Sequence, residues 1–283
     1  MTDVLRMAIP NKGRLFEPTV GLLKEAGLSF EVTERSLTSR VRNADIELLF
    51  VRTPDIPELV SDGVAQLGIT GQDLLVESNL DLSTLIELGY GRCRVAAAVM
   101  NQSPIQSIEE FDGLRVATSH NSITNRYFAG LGLSVTVIPL RGSIEVAPRL
   151  GVADGIVDLV STGSTLIMNG LREIGTLLES EAVLITRPEI TNGSVARIAT
   201  ALRAVVTARS KRYVLLNASA ESVEAISNLI PGLEAPTVVP LAEQGWVAIH
   251  SVVEASEIWS LLPRLEAAGA KGILVLPIDQ VIP

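Results

Sequence analysis

Gly151-Val-Ala-Asp-Gly-Ile-Val-Asp-Leu-Val-Ser-Thr-Gly-Ser-Thr165 decides the reading of this chain. Ile156 to Val160 reads as a strand that delivers the chain into Ser161-Thr-Gly-Ser-Thr165, where a helix begins with free backbone N–H groups. Such an end attracts phosphate. Backbone donors and the positive end of the helix act on the anion, the hydroxyls of Ser161, Thr162, Ser164 and Thr165 add hydrogen bonds, and Gly163 allows close approach. Asp154 and Asp158 lie four residues apart, so in an extended segment they point to the same side, placed for ribose hydroxyls or Mg²⁺-bound waters. A plainer reading stands beside this one: the hydroxyls cap the helix, Asp154 marks a turn and Asp158 pairs with a basic neighbour.

Outward from that stretch, short β-branched runs alternate with amphipathic stretches, the signature of parallel α/β layers. Strands are expected at Val4–Ile9, Ile46–Val51, Gln66–Thr70, Val95–Met100, Leu114–Thr118, Val135–Pro139 and Val183–Thr186. Helices are expected at Arg14–Ala26, stopped by Gly27, at Ser122–Leu131 and at Ser143–Leu150, with another from Thr53-Pro54, as cap and first-turn proline, to Val60. Val183–Thr186 is placed to return to the first sheet, which makes a cleft between two lobes. After a long helical stretch, Ser194–Ser210, the order becomes βαββαβ, that of a ferredoxin-like unit.

Three more junctions follow expected strands. Asn11-Lys-Gly-Arg14 offers Lys12 and Arg14 to phosphates at the place where open α/β sheets bind ligands. Gly68-Ile-Thr-Gly-Gln-Asp73 offers backbone at Gly71 and an acceptor at Asp73 for an adenine amino group or ribose hydroxyl. Arg141-Gly-Ser-Ile-Glu145 sets Glu145 in a first helical turn, near enough for a ribose hydroxyl. Each has a bland counterpart in a solvated turn or a dipole-favoured carboxylate.

Composition narrows the class. A chain of 283 residues with 47% hydrophobic and 4% aromatic residues must build two or three units on Val, Leu, Ile and Ala. A net charge of −9 argues against a nucleic-acid binder and requires a local cationic patch for any anionic substrate. One cysteine, Cys93, excludes an internal disulfide, and the two histidines, His120 and His250, lack partners at metal-ligand spacing; both read as incidental polar residues. No signal peptide or apolar membrane span is recognisable, so the expectation is a cytoplasmic protein.

The ordered segments IPNKGRL, VRTPDIPELVSDGVAQLGITGQDLL, LRGSIEVAPRLGVADGIVDLVSTGSTL, PGLEAPTVVPLAEQGWVAIH and GAKGILVLPI resemble the ATP phosphoribosyltransferases of the long, hexameric kind. The resemblance implies a two-lobed, type II periplasmic-binding-like catalytic part and a C-terminal ferredoxin-like regulatory domain. Expected bounds are lobe I at 1–92 and 180–208, lobe II at 93–179, and the regulatory domain at 209–283. The implied reaction joins N1 of ATP to phosphoribosyl pyrophosphate (PRPP), forming N1-(5-phosphoribosyl)-ATP and pyrophosphate, the first step of histidine biosynthesis.

By the family pattern, Glu145, Asp154, Asp158 and Ser161, Thr162, Gly163, Ser164 and Thr165 bind PRPP. Lys12, Arg14, Arg52, Gly71 and Asp73 line the ATP and pyrophosphate side. Mg²⁺ is held mainly by substrate phosphates, with Asp154 and Asp158 as protein ligands. Histidine, the feedback inhibitor, is expected at Asn217, Leu233, Ala235, Thr237 and Gly272, in a homo-oligomer of dimers and hexamers without a separate regulatory subunit. No general acid or base is assigned. The rivals are a two-lobed binding or sensing protein without catalysis, and a phosphoribosyltransferase for another base.

Overall fold

The computed structural model describes residues 4–33, 36–189, 193–230, 232–233 and 235–282. They form two compact units, residues 1–21 with 28–196 and residues 22–27 with 197–283.

The first unit opens with β1 (Leu5–Pro10), α1 (Phe16–Glu25), β2 (Thr38–Arg40), β3 (Ile46–Val51), α2 (Ile56–Ser61), β4 (Leu67–Gly71), α3 (Gln72–Ser78) and β5 (Ser83–Glu87). The chain crosses to β6 (Cys93–Met100), β7 (Arg115–Thr118), α4 (Asn121–Gly130), β8 (Thr136–Pro139), β9 (Gly155–Val160), α5 (Ser164–Met168) and β10 (Leu171–Ser180), then returns as β11 (Ala182–Thr186). As the sequence suggests, β11 rejoins the first sheet, pairing antiparallel with β4 and β5. The result is a six-stranded sheet, β2-β3-β1-β4-β11-β5, and a five-stranded sheet, β10-β6-β9-β7-β8. This is the two-lobed periplasmic-binding plan, with mixed rather than purely parallel sheets.

Burial explains why the apolar runs are strands. Every residue of β4 and of β11 is buried, as expected for strands covered on both faces. β9 divides its side chains between two cores: Val157 packs with Phe111 and Phe128, while Ile156 and Val160 pack with Ile144 and Leu166. Each such buried side chain contributes about 1.5–3 kcal/mol of transfer free energy.

The structure also departs from the sequence reading. β10 is unanticipated because register shifts at Glu173/Gly175 and Thr176/Leu178 break its alternation. The expected helix Ser143–Leu150 is only a 3₁₀ turn, Ile144–Val146, entered through left-handed Gly142 (φ 99°) and Ser143 (φ 51°). Pro148 lacks the N–H that would extend it. Thr53 is not a cap: it lies inside a 3₁₀ turn, Thr53–Asp55, whose cap position is Arg52.

The second unit contains most of α6 (Gly193–Arg209), then β12 (Lys211–Ser219), α7 (Val223–Leu229), β13 (Thr237–Pro240), β14 (Trp246–Glu254), α8 (Ile258–Ala267) and β15 (Lys271–Pro277). Its strands are antiparallel in the order β13-β14-β12-β15, the ferredoxin-like order. Val214, Leu216 and Ile249 face Ile226, Leu261 and Leu265 of the two helices. Of the PGLEAPTVV segment, Pro231 and Glu234 lie outside the described residues.

Candidate active site

Strand direction fixes where the expected loops meet. β3, β1 and β4 are parallel, so Asn11–Arg14, Arg52 and Gly71–Asp73 emerge at one edge of the six-stranded sheet. β9, β7 and β8 are also parallel, so Ser161–Thr165, Ser119–His120 and Leu140–Arg141 emerge at one edge of the five-stranded sheet. The antiparallel partners β6 and β10 respectively begin and end at that second edge, at Cys93 and Ser180. Asp73 of the first edge is hydrogen-bonded to Ser180 of the second, so the two ligand-bearing edges face each other.

On the five-stranded side, Ser161, Thr162, Ser164 and Thr165 are exposed. Gly163 is left-handed (φ 80°) and caps α5, with open space where a side chain would stand. α5 has only five residues, so binding power rests on the loop's hydroxyls and amides more than on a helix dipole. Thr162 Oγ1 and Ser164 Oγ are 2.9 Å apart. Arg94, forked onto Glu173 across β6 and β10, also donates to the Ser161 carbonyl at 3.4 Å and steadies the start of the loop.

The two aspartates part company. Asp158 lies within β9 on the face of Ile156 and Val160, toward the 3₁₀ turn that carries Glu145. Burial pushes its carboxyl up, against the Leu159 N–H and His120; Glu145 adds to the rise. Asp154 precedes β9, at the opposite edge of the sheet. It accepts from the Arg115 guanidinium at 2.9 and 3.2 Å and from the Arg115 N–H at 2.9 Å. Those bonds hold its carboxyl below the usual range. At about 3.3 Å per residue it is roughly 20 Å along the strand from Ser161. The expectation that both aspartates face one ligand is therefore corrected: alternation gives the side of a strand, not the end.

Gly71 and Asp73 are corrected in the same way. Asp73 is 2% exposed; Ser180 Oγ donates to it at 2.6 Å, and His120 Nε2 stands 3.6 Å away. It is not open to adenine or ribose. A Cβ on Gly71 would fall 2.3 Å from Asp73 Oδ1, so the glycine accommodates this folded-back carboxylate rather than a ligand.

The cations remain at the mouth. Lys12, Arg14 and Arg52 are exposed, and Arg14 is pinned to the crossing segment by Gly91 O at 3.0 Å and Cys93 Sγ at 2.9 Å. Lys12 lines a cavity of about 810 Å³ with Asn11, Gly13, Phe16, Thr33 and Phe50 among its walls.

Sequence reasoning passed over His120, Glu77 and Arg94. Their partners, Asp73, the α4 amides and Glu173, are distant in sequence, and no local spacing marks them.

In the second unit, Leu233, Ala235 and Thr237 line a cavity of about 500 Å³ with Tyr213 and His250, whose side chains meet at 2.7 Å. Asn217 and Gly272 are neighbours elsewhere, on β12 and β15. At about 4.8 Å between strands and 3.3 Å per residue, Asn217 and Thr237 are more than about 10 Å apart.

Two sheets with opposed strand ends and polar loops at both define a two-lobed α/β ligand-binding protein. Comparison with known proteins narrows that class. Residues 52–205 match the family described as ATP phosphoribosyltransferase, and residues 208–280 match HisG, C-terminal domain. The ATP phosphoribosyltransferase of Gemmatimonas aurantiaca is 44% identical over 99% of this chain and 100% of its own length; that of Methanopyrus kandleri is 43% identical over 99% and 100%. A chain of the ATP phosphoribosyl transferase (HisG:HisZ) complex from Thermotoga maritima superposes with a TM-score of 0.60 at 31% identity, covering 70% of this chain and 96% of that one. The chain belongs to the ATP phosphoribosyltransferase family.

Proposed function

We propose that this chain transfers the phosphoribosyl group of PRPP to N1 of ATP, releasing pyrophosphate, in the first step of histidine biosynthesis. The observation that carries the reading is the pair of opposed edges: exposed Lys12, Arg14 and Arg52 on one, and the hydroxyl loop with Asp158 on the other. The 5-phosphate of PRPP sits on Ser161–Thr165, with Asp158 and Glu145 at the ribose hydroxyls. Lys12, Arg14 and Arg52 take the pyrophosphate and the ATP phosphates. Asp154, bound to Arg115 at the far end, anchors the strand instead.

The adenine N1 lone pair forms the new bond to C1 of the ribose as the C1–O bond to pyrophosphate breaks. N1 needs no proton removed to attack, so the protein's task is to align N1 and the departing pyrophosphate oxygen on C1 and to neutralise the leaving group. Among the described residues no group of three or more His, Cys, Asp or Glu side chains is arranged to hold a metal. Mg²⁺ would be held mainly by the substrate phosphates, with Asp158 as a protein carboxylate that could join them, and would supply charge neutralisation there.

The C-terminal unit serves as the regulatory domain and binds histidine. Because Asn217 and Gly272 lie apart from Leu233, Ala235 and Thr237, one histidine spans both groups only if they come from different copies, which suits a homo-oligomer of dimers and hexamers. The functional parts are lobe I (1–92 and 180–208), lobe II (93–179) and this domain (209–283). With its own domain, the chain acts without a separate regulatory subunit, in the cytoplasm. Among the described residues no helix is long and apolar enough to cross a membrane.

The test is pyrophosphate release from ATP and PRPP, with and without Mg²⁺ and histidine, beside adenine and nicotinate as alternative acceptors. ATP-dependent release that needs Mg²⁺ and falls with histidine is expected. Release with another base but not ATP, or ligand binding without release, contradicts the reading.

A further inference from the structure

α3 presents two carboxylates, Asp73 and Glu77, one turn apart on one face. Both reach the head of α4 on the other sheet. Glu77 accepts the free N–H groups of Ser122 and Ile123 at 2.9 and 3.0 Å, capping α4 from outside its own lobe. Asp73 meets His120, the residue preceding that helix, with side chains only 3% and 8% exposed. Beside His120, Asn121 Oδ1 is buried without a hydrogen-bond partner among the described residues, an unmatched acceptor at the same helix head. A helix capped from across the cleft has little freedom to turn, so the His120 ring is held in place from both sides.

We propose that His120 is a positioning residue for the phosphoribosyl transfer: it fixes the buried Asp73 carboxylate between the two edges of the cleft and ties it to the strand that carries Asp158. This rests on the site reading above. A carboxylate this buried is costly to ionise, and the groups facing Asp73 are few: Ser180 from β10, His120 from the head of α4, and Arg14 from the loop before α1. Burial pushes its carboxyl up; His120 and Ser180, with Arg14 behind them, bring it below its ordinary value. His120 also acts on Asp158, as does Glu145. One imidazole thus acts on a carboxylate from each lobe. An ionised Asp73 holds Ser180, the last residue before the return crossing, and so keeps the two edges in register.

The test is the pH dependence of kcat/KM for PRPP in the full chain, for wild type, His120→Gln, His120→Phe and Glu77→Gln, with thermal unfolding recorded at each pH. Loss of the imidazole leaves burial opposed only by Ser180 and Arg14, so the acid limb should move up by about one pH unit in His120→Phe. His120→Gln, which keeps a donor, should fall between it and wild type. Glu77→Gln, which disturbs the helix cap but not the charge facing Asp73, should lower the midpoint of unfolding and leave the limb in place. If His120→Phe does not fold, an upward limb in His120→Gln alone carries the inference. An unmoved limb in every folded His120 variant overturns it while pyrophosphate release by wild type still upholds the reaction. Absence of release from wild type overturns the reaction and this inference together.

Discussion

Asp154, just before β9, and Asp158, within β9 two residues from its end, belong to one motif, and their surroundings differ sharply. At the entering end, the Asp154 carboxylate is matched, among the described residues, by three bonds from Arg115. Toward the leaving end, Asp158 accepts, among the described residues, only its neighbour's N–H, is raised by burial, and stands near exposed hydroxyls. A satisfied carboxylate stabilises; an under-satisfied one waits for a ligand. The difference teaches that a strand's carboxyl end, not its sequence of acids, locates chemistry in such sheets.

The comparison breaks most readily in turnover. Replacing Thr162 and Thr165 together with Ala removes two hydroxyls proposed to meet the 5-phosphate, and kcat/KM for PRPP should fall on the order of a hundredfold or more, since bonds to charged groups contribute about 1.5–3 kcal/mol each. Arg115→Gln, at the other end, should change it by less than about threefold, as expected away from the ligand. Steady-state pyrophosphate release at varied PRPP separates the two.

A smaller effect, opposite in sign at the two ends, should appear in stability against pH. Asp154 is held below its ordinary value near 3.8, so its stabilisation is full above that value and is lost as pH falls through the lowered one. Asp154→Asn should therefore melt a few degrees below wild type at pH 7 and converge with it in strong acid. Asp158 is raised above 3.8, so the folded state prefers it protonated and its penalty builds as pH rises through the raised value. Asp158→Asn should melt at or slightly above wild type at pH 7, with the gap closing in acid. Thermal midpoints across this range check both signs.

Much of this frame was legible in the residues. Ile46–Val51 is a strand with the expected bounds, β11 returns to the first sheet, and the βαββαβ order produces the ferredoxin-like sheet. Local patterns sufficed there because each element's apolar period reflects the face it buries. They failed where pairing partners decide. β10 is long but bulged, and a Cβ at Gly175 would meet the end of the Ile108 side chain at 2.4 Å, a neighbour no window contains, so that side chain would have to shift. Asp73 reads as an available acceptor until the fold brings Ser180 and His120 onto it. His120 reads as incidental for the same reason. The aspartates' spacing was seen, but their assignment to opposite edges needs the beginning of β9 at Gly155 to within one residue.

Equilibrium binding of PRPP, by calorimetry with Mg²⁺ and without ATP, to wild type, Asp158→Asn and Asp154→Asn tests the assignment of the PRPP site most directly. Asp154→Asn should bind within about threefold of wild type, and Asp158→Asn should bind at least about tenfold more weakly, the loss of one charge-assisted contact. Weak binding by Asp154→Asn together with undiminished binding by Asp158→Asn would contradict it.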